Sequence, residues 1–448
     1  MSKIAAIILA AGQGTRMKSD LHKVLHPIAG RPMLMHLMDS FAALAPAATV
    51  VVAGNKREQL VAALAPLGVT TVIQEPQLGT AHAALQAKAA LAGFDGYVIV
   101  CFGDCPFLKG ETVTRLCTAL GDAMVAVLGF RPADTAAYGR IIADNNGSVT
   151  KMVEHKDADE RERAVTLCNS GVLVARSRDI WRLLDAVTNN NAAGEYYLPD
   201  VATNALNEGG RVAVVETDAD EVAGINSRAE LAAMEGKWQQ RRRKAAMDAG
   251  ATLIAPKTVW FAYDTVVGRD VVIEPNVFFG PGVTVADKVV IRAFSHIEGA
   301  VIGEGAEVGP YARLRPGAVL GEKSKVGNFV EVKKATLGKG AKANHLSYIG
   351  DADVGAGANI GAGTITCNYD GFFKYQTVIG AGAFIGSNSA LVAPVTIGAG
   401  AIVGAGSVVT ADVSADALAL VRPEQREKAG WAKRFREVMG AKKLAKKG

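Results

Sequence analysis

One feature constrains this chain more than any other: a hydrophobic period of six. Val267, Ile273, Phe279, Val285, Ile291 and Ile297 are spaced by six residues. The phase then slips by one, and Ile302, Val308, Leu314, Leu320, Val326 and Val332 continue it. After an irregular patch, Ile379, Ile385, Leu391, Ile397, Val403 and Val409 repeat it. Neither the 3.6-residue turn of a helix nor the alternation of an ordinary strand produces a six. It is the hexapeptide signature of a parallel β-helix. Each six residues make one short strand and one corner. The aliphatic side chain points inward, and a glycine or another small residue permits the turn. Three hexads close one coil, so residue i stacks on i+18. The regular hexads account for roughly seven coils, a prism on the order of 30–35 Å long at one strand spacing per coil.

Glycine supports this reading. Of the 49 glycines, 25 lie in residues 251–410. Collagen is excluded, because no Gly-X-Y period exists and there are only 15 prolines. The stretch Tyr375–Ala411 has no charged side chain and is long enough to span a bilayer. Glycine, Asn388 and Pro394 interrupt it, however, and its apolar residues recur every six positions, so it reads as coils and not as a membrane span. Residues Ile365–Val378 break the repeat. Their polar and aromatic run Thr366–Lys374 is expected to protrude as a loop, where function concentrates on a rigid scaffold.

Residues 1–225 follow different rules. Apolar runs at Ile4–Leu9, Thr49–Val52, Tyr97–Val100, Met124–Leu128 and Val212–Val215 alternate with helical stretches at Leu34–Leu44, Gln59–Leu64 and Thr80–Leu91. That alternation predicts a mostly parallel sheet covered on both faces, with ligands at the carboxyl edge of its strands. Residues 227–249 predict a connecting helix. Ser227 caps it with Glu230 at N3, and Leu231, Met234, Trp238 and Met247 form its apolar side. Arg241-Arg242-Arg243-Lys244 reads as a solvated face. The predicted division is 1–226, a linker helix at 227–250, and 251–448. The segment Pro423–Gly448 is expected to start as a helix and end as a disordered basic tail.

Composition adds bounds. The 448 residues carry a net charge of +5, which suits small anionic substrates as well as nucleic acid and decides little. Five scattered cysteines show neither zinc spacing nor a disulfide framework. The N-terminus runs directly into a strand without a long apolar region and cleavage site, so a cytoplasmic location is expected.

Two sets of residues carry candidate chemistry. After the first strand comes Gly12-Gln13-Gly14-Thr15-Arg16-Met17, which lacks the last glycine of a dinucleotide fingerprint. Its backbone N–H groups can wrap phosphates, with Arg16 and Lys23 adding charge. Asp104 ends the strand Tyr97–Val100, and Gly224-Ile225-Asn226 offers another oxygen. Taken singly, these features also fit a tight turn and a helix cap. Together they suit a nucleoside triphosphate with Mg²⁺. In the second half, His345 lies in the irregular patch near Glu331, Lys333 and the loop. An imidazole suits general-base work at neutral pH, and Glu331 on its other nitrogen would fix the tautomer. Arg315 and Lys333 place positive charge where the repeat demands apolar or small residues, which suggests anion binding or a surface ion pair. Cys367 has no adjacent base and reads as structural.

At this point the residues resemble a family. The run Leu9–Met17, Lys23, Gln74–His82, Gly103-Asp104, Tyr138-Gly139-Arg140 and Gly224–Asn226 is similar to the sugar-1-phosphate nucleotidyltransferases. Joined to a long hexapeptide domain, the whole chain resembles the bifunctional bacterial N-acetylglucosamine-1-phosphate uridyltransferases/glucosamine-1-phosphate acetyltransferases. The runs Asn344–Ile349, Gly361–Ile365 and Asn368–Gly371 are the most specific matches. The resemblance implies a Rossmann-like α/β nucleotidyltransferase domain followed by a left-handed parallel β-helix.

It also implies roles. Leu9, Ala10, Ala11, Gly12 and Gln74 would hold uracil and ribose, and Gly79 and Thr80 would line the uridine pocket. Arg16 and Lys23 would neutralise phosphate charge, and Asp104 and Asn226 would bind Mg²⁺. Gly139, Glu154 and Asn169 would hold the amino sugar. In the second domain, Arg315, Lys333, Tyr348 and Asn359 would hold the sugar phosphate, with His345 as base and Glu331 as its orienting partner. Ala362, Asn368, Tyr369, Ser387, Ala405 and Arg422 would contact acetyl-CoA. The implied assembly is a homotrimer through the β-helix, with UTP, acetyl-CoA and glucosamine 1-phosphate as substrates and no nucleic-acid or membrane partner. Two departures stand out: His22 occupies the usual proline position before the lysine, and Cys105 replaces an aliphatic residue after Asp104. The alternatives are another sugar-1-phosphate pyrophosphorylase with a hexapeptide tail, acting on ADP-glucose or GDP-mannose, or a non-catalytic scaffold subunit.

Overall fold

The computed structural model describes residues 3–135, 138–144 and 148–446. The chain divides into two compact units, Met1–Arg241 and Arg242–Gly448.

The first unit is built on one sheet. Its strands lie in the order Val212–Thr217, Val125–Phe130, Cys168–Arg176, Tyr97–Phe102, Ile4–Ala10, Ala48–Ala53 and Thr70–Ile73. All neighbours run parallel except Cys168–Arg176, which is antiparallel to both of its partners. Alternation sorts the first strand onto two cores. Ala5, Ile7 and Leu9 pack with Val50, Val52 and the helix Thr80–Leu85. Ala6, Ile8 and Ala10 pack with Leu34, Leu37 and Phe41 of the helix Met33–Ala42. The helix expected over Thr80–Leu91 ends at Leu85 and continues as turns to Phe94. A two-stranded extension, Arg140–Ala143 with Val149–Val153, was not apparent in the apolar pattern.

The connecting helix spans Arg228–Asp248. The expected capping box is present: Glu230 N–H donates to Ser227 Oγ, and Ser227 N–H donates to a Glu230 carboxylate oxygen at 3.1 Å. Met234 is buried with Ile28, Met33 and Ile225, and Leu231 and Trp238 pack against them. Met247 does not join and is exposed. The solvated reading of the basic run holds for Arg241 and Lys244, which are exposed, and is corrected for the half-buried Arg242 and Arg243. Within the first unit, Arg241 pairs with Asp220 and lies over the Phe107 ring. Within the second, Arg242 donates to the Thr265 carbonyl and stacks on Phe261, while Arg243 donates to the Val259 carbonyl. The first coil has no rung before it to accept from, so these guanidinium groups satisfy its carbonyls.

The second unit is the β-helix. One face stacks ten short strands in parallel, with Leu253, Ile273, Ile291, Val308, Val326, Ala343, Ile360, Ile385, Val403 and Ala419 in one column. Ten rungs exceed the seven coils expected, because irregular hexads at both ends and in the middle still form strands. The phase slip is real: Val285 stacks on Ile302 and Ile297 on Leu314, a step of 17 instead of 18. The charge-free stretch forms the rungs Thr377–Ile379 to Val408–Val409. No helix among the described residues is long and apolar enough to cross a membrane.

The insertion protrudes as expected. Tyr369 and Lys374 bridge antiparallel, and one Asp370 oxygen accepts from the N–H groups of Phe372 and Phe373, each at 2.7 Å. Those two bonds hold the Asp370 carboxyl below its usual range. The C-terminal segment departs from expectation. Trp431–Ala445 is one exposed helix, so the basic residues Lys442 and Lys443 form its last turn, where they favour the helix dipole. Lys447 lies outside the described residues.

Candidate active sites

The first site lies at the carboxyl edge of the strands Ile4–Ala10 and Tyr97–Phe102. Gly103 N–H donates to the Leu9 carbonyl, which joins the glycine turn to the aspartate turn. A cavity of about 430 Å³ opens there. Its walls include Leu9, Ala10, Ala11, Gly12, Lys23, Gln74, Gly79, Thr80 and Asp104, all anticipated, and also His22, Gln77 and Glu195, which were not.

Glycine is required at two positions, one beside this wall and one in it. Gly14 has φ 63°, and a Cβ there would stand 2.9 Å from Lys23 Cβ, so the lysine stem lies across the turn. Gly79 has φ 120°, and its Cβ would meet the Tyr196 carbonyl oxygen at 2.6 Å. Side chains are already committed around it. Gln74 donates to the Gly79 carbonyl at 2.9 Å, Gln77 donates to the Ala11 carbonyl at 2.5 Å, and Thr80 Oγ1 accepts from Leu198 N–H at 2.9 Å.

At the polar end, Lys23 Nζ forms an ion pair with Asp104 and donates to Asn226 Oδ1 at 2.9 Å. The two oxygens assigned to the metal therefore converge on one cation, the lysine ammonium. An all-oxygen pair suits a hard divalent ion, which takes its remaining ligands from phosphates and water. No three His, Cys, Asp or Glu side chains gather around a metal position among the described residues. Asn226 is held from behind, since its N–H donates to Glu230 of the helix cap at 2.6 Å.

Three anticipated residues gather beside the cavity without lining it. The Gly139 carbonyl accepts from Asn169 N–H at 2.9 Å, and a Cβ on Gly139 would meet Glu154 Oε1 at 3.0 Å. Burial, then the charges of Asp200 and Asp157, raises the Glu154 carboxyl above its usual range. Burial first and Asp157 second push Asp200 up to about 6. The segment Glu195–Tyr197 joins this cluster to the cavity. Glu195 lines the cavity, the Tyr196 backbone packs on Gly79, and the Tyr197 hydroxyl is raised by burial and then by these acids. Arg16 is not brought in: it sits on an exposed turn and has no hydrogen-bond partner among the described residues.

The departures resolve locally. Cys105 is buried, donates weakly to the Val222 carbonyl, and is pushed far up by burial, so it stays a neutral thiol. His22 is buried at 3% exposure, and its approach to the Ala10 carbonyl falls short of a hydrogen bond. Burial, with the charges of Lys23, Lys56 and His26, holds its imidazole below the usual range and neutral.

The second site lies on the β-helix between its middle rungs and the protruding loop. Lys333 is buried and its ammonium donates to Asp351 at 3.0 Å. Asn368 Nδ2 donates to the same carboxylate oxygen at 2.5 Å and lies 3.4 Å from the Tyr348 hydroxyl. Burial alone would raise the Asp351 carboxyl, but the bonds from Lys333 and Asn368 override it and hold it low. Lys374, from the loop, meets Lys333, and that contact pulls its ammonium below the ordinary range. The Tyr348 ring lies over Gly350, where a Cβ would meet its hydroxyl at 2.3 Å. Asp351 and Lys374 were not anticipated. Their partners are separated by 17 residues or more, which leaves no local signal.

One expectation is corrected. Glu331 does not orient His345. His345 Nδ1 lies 2.7 Å from Asn328 Oδ1, and Glu331 pairs with Arg315 at 2.8 Å. The 17-residue step explains this, since it stacks Asn328 on His345 and Glu331 on Tyr348.

The anticipated acyl-donor residues form a column. Ala343, Ile360, Ile385 and Val403 share one ladder. Two positions after each come His345, Ala362, Ser387 and Ala405. Arg422, past the last full rung, donates to the Ala405 carbonyl at 2.6 Å. Small side chains above His345 leave a strip along the corner that ends at a guanidinium. Tyr369 lies on the protruding loop, with its hydroxyl donating to the Gly371 carbonyl at 2.5 Å. Asn359 stacks on Lys342 one corner away.

Comparison with known proteins agrees with both halves. Residues 6–193 match the MobA-like NTP transferase domain. Residues 264–299, 299–334 and 376–411 match the bacterial transferase hexapeptide repeat. A protein of Sphingopyxis alaskensis named bifunctional protein GlmU is 65% identical over 445 residues, covering 99% of this chain and 98% of that one. Proteins of the same name from Rhizorhabdus wittichii and Novosphingobium aromaticivorans are 67% and 66% identical, the first covering 99% of both chains and the second 100% of this chain and 99% of its own. The chain belongs to the GlmU family. This membership accounts for an NTP-transferase sheet and a hexapeptide β-helix in one polypeptide, and it sets aside a lone pyrophosphorylase or a scaffold.

Proposed function

We propose that the chain makes UDP-N-acetylglucosamine in two steps, acetylating glucosamine 1-phosphate on the β-helix and then uridylylating the product in the α/β unit. We assign uridylyl transfer to residues 1–226 and acetyl transfer to residues 251–448, with 227–250 as the connection. The observation that carries the reading is that each half holds its own polar constellation: Lys23 with Asp104 and Asn226 in one, and His345 with the Lys333–Asp351–Asn368 group in the other.

In acetyl transfer, the sugar ammonium must lose a proton before its nitrogen can attack the thioester carbonyl. His345 Nε2 takes that proton, the new C–N bond forms, the C–S bond breaks, and coenzyme A leaves as the thiolate. Lys333, Arg315 and Lys374 supply positive charge for the sugar phosphate, and Tyr348 and Asn359 supply polar contacts. The strip of Ala362, Ser387 and Ala405 receives the extended acyl donor, with Asn368 and Tyr369 beside it and Arg422 at the phosphate end.

In uridylyl transfer, the phosphate oxygen of N-acetylglucosamine 1-phosphate attacks the α-phosphorus of UTP in line, and pyrophosphate leaves. Lys23 neutralises developing charge, and Arg16 reaches the phosphates from its exposed turn. Gly139, Glu154 and Asn169 hold the sugar. Asp104 and Asn226 would hold Mg²⁺, which supplies charge neutralisation on the triphosphate when bound.

A cytoplasmic homotrimer fits this reading. Phe294, Tyr311 and Phe329 stack in an exposed column at ring distances of 4.9 and 5.2 Å, an apolar face for another copy to cover. The test combines glucosamine 1-phosphate, acetyl-CoA, UTP and Mg²⁺ and looks for UDP-N-acetylglucosamine. His345→Ala should stop acetyl transfer and spare uridylyl transfer. Equal loss of both would overturn the separate sites.

A further inference from the structure

We infer that Asn328 is a positioning residue for acetyl transfer, whose carboxamide oxygen selects the His345 tautomer with its lone pair on Nε2. The inference rests on the acetyltransferase reading of this site. Asn328 Oδ1 lies 2.7 Å from His345 Nδ1. A carboxamide oxygen only accepts, so Nδ1 must carry the hydrogen and Nε2 is left as the base.

The backbone is shaped for this contact. Asn328 and His345 face each other in register on adjacent strands, and Leu346 N–H donates to the Asn328 carbonyl at 3.0 Å. Gly327 admits the close approach, since a Cβ there would stand 2.0 Å from the Asn344 carbonyl oxygen. Phe329 and Leu346 then turn both strands at the same level, each in the left-handed region at φ 54° and 50°. His345 is exposed on its other side, so the Asn328 bond is the one hydrogen bond to its ring among the described residues.

The neighbouring carboxylates are committed elsewhere, Glu331 to Arg315 and Asp351 to Lys333. The strand carrying Asn328 presents only Lys325 as a titratable group, which stacks on Lys342 of the His345 strand, and the following strand Asn359–Ile360 presents none. A carboxylate at position 328 would favour the charged imidazolium and raise its pKa. The neutral carboxamide orients the ring without that effect.

The test uses full-length protein carrying ¹⁵N-labelled histidine. In the wild type, the His345 ring nitrogens should report hydrogen on Nδ1, and Asn328→Ala should shift this toward Nε2. For Asn328→Ala, kcat for acetyl transfer should fall roughly 10–100-fold, a part of the usual general-base contribution, with both KM values changed by less than about twofold. Asn328→Asp should recover part of kcat and move the acidic limb of its pH profile up by about one unit. Uridylyl transfer in the same samples should be unchanged, and thermal unfolding by circular dichroism should match the wild type, which checks that the β-helix is folded. Wild-type kcat and pH profile in Asn328→Ala would overturn the inference, as would equal loss in the alanine and aspartate variants with the tautomer unmoved. An inactive His345→Ala alongside either result leaves the acetyltransferase reading standing. An active His345→Ala removes both.

Discussion

Replacing Gly327 by alanine should separate the architecture of the acetyl site from the stability of the β-helix. The added Cβ would stand 2.0 Å from the Asn344 carbonyl oxygen and 2.7 Å from its carbon, and both are backbone atoms that cannot swing away. Relief to an ordinary C···O contact of roughly 3.3 Å requires the two strands to part by on the order of 1 Å. The bonds across this gap are Leu346 N–H to the Asn328 carbonyl at 3.0 Å and Asn328 to His345 at 2.7 Å. Stretched by that amount, neither survives, and at about 1 kcal/mol each the loss is about 2 kcal/mol. Gly340→Ala is the control. Gly340 has φ 68° with nothing within 4 Å of a Cβ, so alanine there costs only left-handed strain of about 1–2 kcal/mol. Thermal unfolding followed by circular dichroism should show similar losses for the two variants. Steady-state acetyl transfer should collapse only in Gly327→Ala. Wild-type acetylation in Gly327→Ala, or equal loss in both variants, would refute the reasoning.

Three further predictions concern other parts of the chain. Asp104→Ala should cost uridylyl transfer about 10²-fold or more, since charge neutralisation is lost where it matters most; Asn226→Ala should mainly raise the Mg²⁺ concentration needed, and acetyl transfer measured alongside should hold in both. Asp200 has its folded pKa raised to about 6, so the native state binds the extra proton and stability falls as pH rises from about 4 to about 6. Asp200→Asn should flatten that fall and gain about 1 kcal/mol at pH 7.5 in denaturant titrations, a figure discounted for partial exposure and for the acid lost from the first turn of its helix. Arg242→Ala with Arg243→Ala should destabilise the β-helix by about 2 kcal/mol in the same titrations, because two carbonyls of the first coil lose their donors, while both kcat values hold.

What the sequence disclosed and what it hid follow from interaction range. The inward aliphatics, the strand starting at Ile4 and the Ser227–Glu230 cap are local patterns, and each is where it was expected. The antiparallel strand Cys168–Arg176 was missed because apolar content carries no direction. The extra coils were missed because Ala343 and Ala419 fill inward positions that a search for large aliphatics passes over. The basic run on the connecting helix looked solvated because its carbonyl partners are 16 and 23 residues away. Lys374 and Asp351 lie outside the regular hexads and Asn328 is a polar residue within one, and only the stacking of coils shows what they meet.

That stacking places the chemistry through small departures from the period. With a strict 18-residue coil, His345 would lie over Gly327, which has no side chain to offer its ring. The 17-residue step puts Asn328 there instead. The same step sets Lys333 opposite Gly350, which leaves room for its ammonium to reach Asp351 in the next position. One rung later the step lengthens to 25, from Ile360 to Ile385, and the surplus chain is the loop that carries Asn368, Tyr369 and Lys374 back over the site. Above the insertion the step returns to 18, Ile385 on Val403, and the corner column is again small residues only. A regular hexapeptide ladder would be a rod with aliphatics inside and no polar group in a position to act. Shortening by one residue below His345 and lengthening by seven above it creates both the oriented imidazole and the charged cluster of Lys333, Asp351 and Lys374.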